Sequence, residues 1–223
     1  MKRLLFPVLL GVIGCAILIG LGIWQVQRLQ WKAAILAEID ARIAAGPVAV
    51  PDAPDPVRDA FLPVTIAGAL GGHEALVLVS DRDLGGAGYR VISVLTSGER
   101  QVLVDLGYIP VTARNDSRMA ERVIITGNLH WPDEVDGWTP PPDGTQWFAR
   151  DLPAIAAALG AEPVLIVARD VSPALAWMTP LPIDSAAIPN NHLTYAITWF
   201  ALAAVWAAMS GVLIRHSAKK GTT

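Results

Sequence analysis

Two long runs without a charged residue, one near each end of the chain, constrain the fold more than any other feature of this sequence. The first extends from Leu4 to Trp24 and the second from Ala196 to Ile214. Each is close to the roughly 20 apolar residues that a helix needs to cross the hydrocarbon core of a bilayer. A mean hydropathy of +0.44 and a 53% share of hydrophobic residues also indicate a membrane protein. Two transmembrane helices are therefore predicted.

The first run raises the question of targeting. Met1, Lys2 and Arg3 precede it, as in a secretory signal peptide, but its apolar stretch is longer than the ~7–15 residues typical of such peptides. An Arg- and Ser-rich mitochondrial presequence does not precede it. We therefore expect an uncleaved helix in a bacterial inner membrane.

Basic residues outside the two runs predict the orientation of the chain. Lys2 and Arg3 precede the first run and Arg215, Lys219 and Lys220 follow the second, whereas all 20 acidic residues lie between the runs. The positive-inside rule then places both termini in the cytoplasm and the central segment in the periplasm. The predicted parts are 1–24 (cytoplasmic tip and first transmembrane helix), 25–46 (helix extension), 47–190 (periplasmic domain), 191–214 (second transmembrane helix) and 215–223 (cytoplasmic tail).

The central segment reads as a β-rich domain. Short β-branched runs separated by turn residues predict six strands, and Ser97 and Gly98 mark a hairpin between two valine-rich runs. Such strands fit an antiparallel sheet or a barrel-like one. One short helix is predicted where Asp151 can serve as N-cap and Gly160 as the stop. The predicted fold class is α+β, with two transmembrane helices flanking a β-rich periplasmic domain that contains one short helix.

The stretch "WPDEVDGWTPPPDGTQW", residues 131–147, interrupts the strand pattern. Proline cannot donate to a sheet ladder, and this stretch contains four prolines together with three tryptophans. It is predicted to be an ordered loop at the surface.

Several classes of function are disfavoured by what the sequence lacks. The net charge of −3 argues against a nucleic-acid partner. The single cysteine, Cys15, excludes proteins that need a cysteine pair, such as thioredoxin-like proteins, Cys-pair copper chaperones and c-type cytochromes. The sequence has no nucleophile elbow, HExxH, P-loop or GxGxxG motif, and its four histidines show no metal-ligand spacing. The chain is not expected to be an enzyme.

A cluster of aromatic and basic residues follows the first apolar run. Trp24, Arg28 and Trp31 fall at i, i+4 and i+7 and so share one helical face, with Gln25 and Lys32 beside them. One interpretation is an interfacial aromatic belt with a snorkelling arginine. The other is a site for an amphipathic ligand, whose anionic groups would meet the two cations while its apolar body lies along the tryptophans.

The stretch "PNNHLTYAITWF" places polar residues directly ahead of the second apolar run. Asn190 and Asn191 are explained as a helix start and an N-cap. His192, Tyr195 and Trp199 form a stripe at i, i+3 and i+7. The histidine is either an interfacial hydrogen-bonding group or an axial ligand presented to a haem iron.

Small residues give both helices a face for close packing. If the helices pair, their outer ends meet, and the aromatic and basic residues of the two ends line one crevice. The small-residue pairs expected at this contact are Ala16/Gly20, Ala204/Ala208 and Ala207/Gly211.

Taken in order along the chain, these motifs resemble the Surfeit locus protein 1 family. They are "LGIWQVQRLQWK" after the first run, "GYRVISVL" and "VLVDLGYIP" in the predicted sheet, "WFARDL" before the short helix and "NNHLTYAITWFALA" at the second run. The family's sheet motif usually has Arg and Trp where this chain has Leu106 and Tyr108. A role specific to the family's residues at those two positions is therefore not implied.

The resemblance implies a membrane protein of cytochrome c oxidase assembly. Bacterial members are thought to bind haem A, made by haem A synthase, and to assist its delivery to subunit I. The expected cofactor is thus haem A, and the expected partners are subunit I, haem A synthase and membrane lipid. The family's histidine at the start of the second helix corresponds to His192, the candidate axial ligand of the iron. The other residues expected to line the haem site are Tyr195, Trp199, Trp24, Arg28 and Trp31.

An alternative function fits the same motifs. The chain would be a membrane scaffold that stabilises an early intermediate of subunit I without binding haem. The two functions differ in their dependence on His192, because only the haem carrier requires its imidazole.

Overall fold

The computed structural model of the chain describes residues 2–81, 83–185 and 188–219. Residues 220–223, the end of the predicted cytoplasmic tail, lie outside this set. The α-helices and β-strands along the described residues are helix α1 (Lys2–Ile43), strands β1 (Val48–Ala49), β2 (Pro63–Asp81), β3 (Gly86–Ser97), β4 (Arg100–Pro110), β5 (Ala120–His130) and β6 (Gln146–Trp147), helix α2 (Leu152–Leu159), strand β7 (Glu162–Ser172) and helix α3 (His192–Lys219).

The chain divides into two compact units. The helical unit consists of Met1–Glu38 and Ser185–Thr223, and the sheet unit consists of Ile39–Asp184. This arrangement confirms the coarser prediction that two apolar terminal helices flank a sheet-rich domain with one short helix.

Helices α1 and α3 are long and apolar enough to cross a membrane, over Leu5–Ile43 and His192–Ser217 respectively. Their outer surfaces carry many exposed apolar side chains, such as Ile197 at 61% and Val212 at 67% exposure. In water an apolar surface of this extent is unfavourable, whereas lipid tails are as apolar as the side chains themselves. The helices therefore have the surface expected of membrane anchors.

The strands form one mixed sheet in the order β1-β2-β3-β4-β7-β5, and β5 also pairs with β2. The five long strands therefore close on themselves, as the barrel-like form of the prediction requires. Strand β2 is one long strand where two separate strands were predicted. Its register is irregular between Leu70 and Glu74, the region that was predicted to separate them. The prediction of a purely antiparallel sheet is wrong, because β4 and β7 pair in parallel. Parallel neighbours need a long crossover, and the chain between these strands includes α2.

The two faces of the sheet pack separate apolar cores. On one face, the alternate residues Tyr89, Val91 and Leu95 of β3 meet Val102 and Val104 of β4, as the period of two predicts. These five residues belong to a larger buried cluster that draws on all five long strands. Side chains on this face therefore form a core that connects all five long strands.

Helix α2 covers part of the other face. Leu152 and Ile155 of α2 lie in a second buried cluster with strand residues. The Asp151 carboxylate accepts a hydrogen bond from the Ala154 amide at 3.1 Å, and Gly160 ends the helix at φ +68°. The predicted N-cap and stop of this helix are both confirmed.

A buried carboxylate organises the "VDLGYIP" motif in β4. Asp105 is fully buried and accepts hydrogen bonds from the Arg90 guanidinium at 2.6 Å and from the Gly107 amide at 3.0 Å. Gly107 has φ +86°, and a Cβ at this position would lie 2.1 Å from the carbonyl oxygen of Thr179. Both features require glycine here.

The two positions that depart from the family motif have structural roles. Leu106 is fully buried in the sheet core. Tyr108 is 5% exposed and donates its hydroxyl to the Ala87 carbonyl at 3.3 Å. In this chain, the side chains at positions 106 and 108 therefore contribute to the packing of the sheet unit.

Replacing Gly107 by alanine tests this account of the motif. Gly107→Ala is expected to destabilise the full chain by about 2 kcal/mol or more, because strain at positive φ adds to a clash with backbone. Gly98→Ala is the matched control, since Gly98 has φ +61° but open space around its Cα; it should cost only about 1 kcal/mol. Denaturant unfolding in detergent measures both values, and equal losses would contradict the role of the Thr179 contact.

Candidate functional site

Helices α1 and α3 approach closely because glycines of α1 face large side chains of α3. A Cβ at Gly14 would lie 2.1 Å from Nε1 of Trp206, and one at Gly22 would lie 2.6 Å from Cε1 of Phe200. The Trp206 indole also donates a hydrogen bond to the Leu10 carbonyl at 3.4 Å. Glycine at these positions lets the aromatic rings lie directly against the α1 backbone.

The small residues predicted for this contact are on other faces, and that prediction is wrong. A Cβ at Gly20 or at Gly211 would meet no atom within 4 Å, and the alanines of the predicted pairs are exposed. Because each residue of a helix is rotated by about 100° from the last, Ala16 lies about 200° from Gly14. The spacing of small residues predicts which faces allow close packing. It does not predict which of these faces contacts the large aromatic rings of α3.

Enlarging one glycine of α1 tests which face makes the contact. Gly14→Leu is expected to destabilise the helical unit by about 1–3 kcal/mol, since Trp206 would have to leave its place. Gly20→Leu, a change of the same size on the open face, should leave the unfolding temperature unchanged. Thermal unfolding in detergent compares the two variants, and equal shifts would contradict the observed packing.

At one end of the helix pair, His192 of α3 contacts Gln25 of α1. The distance between His192 Nδ1 and Gln25 Oε1 is 2.8 Å. Gln25 is 9% exposed, and His192 is partly buried as the first residue of its helix. The helix begins there because the Asn191 carbonyl accepts the Tyr195 amide at 3.2 Å.

This contact determines which nitrogen of the imidazole carries its proton. The amide oxygen of Gln25 can only accept a hydrogen bond, so Nδ1 of His192 donates. In the neutral ring, Nε2 then has a free lone pair. A histidine whose Nδ1 proton is held by an acceptor while Nε2 stays open has the arrangement found in metal-ligating histidines.

The predicted aromatic and basic face of α1 lies beside this contact. Trp24 and Trp31 keep 55% and 51% of their surface exposed. The guanidinium carbon of Arg28 lies 3.8 Å from the centre of the Trp31 ring, which is a close cation–π contact. Because Trp24 precedes Gln25 by one residue, its side chain points about 100° away from the His192 contact. The structure therefore pairs Gln25 with His192 and leaves the two tryptophans half exposed.

The predicted stripe of α3 is divided between two environments. Tyr195 is 55% exposed, whereas Trp199, seven residues after His192, is partly buried. Ala196 between them is 2% exposed. Of the stripe, His192 and Trp199 thus lie nearer the buried side of the helix, while Tyr195 lies on its surface.

Two further polar groups lie at the same end. The Lys32 ammonium donates a hydrogen bond to the Pro189 carbonyl, so α1 holds the segment that leads into α3. Oδ1 of Asn190 is buried without a hydrogen-bond partner among the described residues. A buried acceptor of this kind is costly unless a donor reaches it.

Gln25 is a candidate site residue that the structure adds, because the sequence pattern places it beside Trp24 and Arg28 without indicating a role for it. The sequence contained a signal for it, since Gln25 follows Gly14 and Gly22 by 11 and 3 residues and so lies on the same side of α1. A polar residue on the row of contact glycines faces the partner helix. Because α1 has glycines on more than one face, the sequence alone does not show which of them form the contact row.

These features define a two-unit protein. One unit is a pair of contacting apolar helices that positions an imidazole, and the other is a closed sheet. The sequence matches the SURF1 family over residues 12–204, which includes Gln25, the sheet and His192. The chain belongs to the SURF1 family, and the resemblance stated from its motifs is confirmed.

Individual relatives agree with this assignment. Surfeit locus protein 1 of Mus musculus is 27% identical over 83% of this chain and 68% of its own length. The SURF1-like protein of Drosophila melanogaster is 30% identical over 83% of this chain and 70% of its own length. The SURF1-like protein of Rickettsia felis is 30% identical over 87% of this chain and 91% of its own length.

Proposed function

We propose that this protein binds haem A at the His192 end of its helix pair and assists insertion of the haem into subunit I of cytochrome c oxidase. The role in oxidase assembly rests on membership of the SURF1 family. The proposed haem site rests on one observation, the hydrogen bond that Nδ1 of His192 donates to the carbonyl oxygen of Gln25. That bond leaves Nε2 as the atom that would ligate iron.

Several exposed residues of the same helices have side chains that suit the parts of a haem. Haem is a flat apolar macrocycle with two propionates, and the half-exposed rings of Trp24, Trp31 and Tyr195 offer apolar surface. Arg28 is exposed and carries a guanidinium that suits a propionate.

A carrier needs a ligand that holds its cargo and then releases it. The site contributes one imidazole, and the described residues contain no group of three or more His, Cys, Asp or Glu side chains that could hold a metal ion. A single protein ligand would suit such a carrier, because only the contact with His192 would have to be exchanged when the haem passes to its acceptor. His192 would hold the haem, and no redox or other catalytic step would be required of the protein.

The proposed location follows from the charge distribution. Basic residues at the two ends and acidic residues in the middle support a multi-pass protein of the bacterial inner membrane with both termini in the cytoplasm. The sheet unit and the His192 end would then face the periplasm. In this orientation the proposed partners are subunit I, haem A synthase as the source of cargo, and membrane lipid around the helices.

Loss of the imidazole tests the haem site. The full chain is purified in detergent from cells that make haem A, as wild type, His192→Ala and His216→Ala. We expect His192→Ala to lower haem content at least tenfold or to replace the histidine-ligated spectrum with that of a weaker ligand. His216 is an exposed histidine of the same helix, so its variant should resemble the wild type.

Two results of this experiment would contradict the proposal. In one, His192→Ala keeps both the haem content and the axial-ligand spectrum of the wild type. In the other, the wild type carries subunit I but no haem.

Gln25 is expected to tune the ligand through the same hydrogen bond. Gln25→Leu removes the acceptor from Nδ1 and should reduce haem affinity about tenfold. Gln25→Glu keeps an acceptor and adds charge, so it should retain the haem and lower its midpoint potential. Gln27→Leu is the control, because Gln27 is exposed on the same helix. Redox titration of the bound haem gives the potentials, and identical values in all variants would remove Gln25 from this role.

A second candidate function, a scaffold for an early subunit I intermediate, is favoured by a different observation. The faces around Gly20 and Gly211 are open, since no atom lies within 4 Å of a Cβ added at either position. Open small-residue faces allow another transmembrane helix to approach closely. A scaffold would tolerate His192→Ala and lose its partner in Gly20→Leu, whereas a haem carrier would show the reverse dependence for haem content.

A further inference from the structure

The loop of residues 131–147 exposes one tryptophan almost completely. Trp138 is 92% exposed. The other tryptophans of the sheet unit, at positions 131, 147 and 177, are buried or partly buried. A tryptophan side chain presents about 150–250 Å² of surface that favours removal from water.

The loop holds Trp138 in a defined position. The Asp136 carboxylate accepts hydrogen bonds from the Trp138 amide at 2.9 Å and from the Thr139 hydroxyl at 3.0 Å. These bonds lower the pKa of Asp136, the Trp138 amide contributing most and Thr139 next, so the carboxylate stays ionised and the turn stays closed. Because the backbone of this turn is already ordered, binding would cost only the side-chain entropy of the ring.

Both ends of the loop are fixed to the sheet unit. Trp147 is 8% exposed and belongs to the core under α2. Near the other end, Glu134 accepts hydrogen bonds from the Arg150 amide at 3.0 Å and from its guanidinium. Burial raises the pKa of Glu134, but the Arg150 hydrogen bonds outweigh it and the net pKa is lowered, so the pair is ionised at neutral pH. The turn at Asp136 thus lies between two anchors.

The charge of the loop indicates which kind of surface would be complementary to Trp138 and its neighbours. The exposed residues 133–138 and 140–145 include four acids and no Lys, Arg or His. Glu134 is paired with Arg150, which leaves Asp133, Asp136 and Asp143 as acids for which the described residues provide no salt bridge. Anionic lipid headgroups would be repelled by this surface. A protein surface with Lys or Arg around an apolar pocket is complementary to it.

We propose that Trp138 is the central anchor of a protein-docking surface, and that the partner provides an apolar pocket rimmed by Lys and Arg. Buried tryptophans are among the residues that dominate binding energy at protein interfaces. The acids of the same loop would steer the encounter and exclude partners of the wrong charge. This surface lies on the sheet unit and does not depend on whether the helical unit binds haem.

Site-specific photo-crosslinking tests the proposal in the full chain. A benzophenone amino acid replaces Trp138 in one variant and Val57 in another, and both are irradiated in intact cells. Val57 is the control, because it is 88% exposed on a different loop of the same unit. We expect position 138 to give at least ten times more of one protein adduct than position 57. The crosslinked peptide of the partner should carry Lys or Arg beside apolar residues.

Charge reversal then distinguishes a specific contact from simple proximity. The double change Asp133→Lys and Asp143→Lys, which spares the turn at Asp136, should lower the yield of that adduct at least tenfold. Replacing the mapped basic residue of the partner by Glu should restore it. Trp138→Ala should leave the unfolding temperature unchanged, since the side chain packs against almost nothing.

The proposal is overturned by any of the following results. Position 138 gives adducts only to lipid, only to another copy of this chain, or to no molecule. Its adducts equal those of position 57 in yield. Its adduct survives the charge reversal unchanged.

Discussion

The close approach of α1 and α3 is the contact on which the candidate site depends. Gly14 and Gly22 let Trp206 and Phe200 lie against the backbone of α1. Because the helices are this near, Gln25 reaches His192 at 2.8 Å. A side chain larger than hydrogen at either glycine would displace the ring that packs there and disturb the helix contact that brings the acceptor to Nδ1. The orientation of one imidazole thus rests on packing one to three turns away along the same face.

In the sheet unit, a comparable dependence centres on Asp105. Its carboxylate is fully buried, so it requires charged and hydrogen-bonding partners, which Arg90 and the Gly107 amide provide. Arg90 also donates to the Leu181 carbonyl at 2.7 Å, and therefore links β3 and β4 to the segment that leaves the sheet. Removing one partner would leave a buried charge, which costs more than the hydrogen bond itself contributes.

The sequence allowed the elements to be predicted better than their contacts. Asp151 and Gly160 act within a single helix, and both were predicted because capping is a local property. The parallel pairing of β4 with β7 depends on residues far apart in the chain, and alternation along a strand does not reveal its neighbour. The helix contact could not be predicted for the same reason. Several faces carry small residues, and only the structure shows that the face with Gly14 contacts Trp206. His192 could be singled out as an isolated polar residue, but its acceptor could not.

The oriented imidazole also bears on the choice between carrier and scaffold. A histidine that served only as an interfacial hydrogen-bonding group would gain as much from water or a lipid headgroup as from a buried amide. Gln25 is instead 9% exposed, and its carbonyl oxygen is directed at Nδ1 of His192. Burying a glutamine among apolar side chains is unfavourable unless its hydrogen bonds are made inside the protein. Gln25 is such a residue in the described helix pair, and with its carbonyl oxygen facing Nδ1 it favours one tautomer of the neutral imidazole. A defined tautomer matters to iron ligation and does not matter to interfacial anchoring, and this difference favours the carrier.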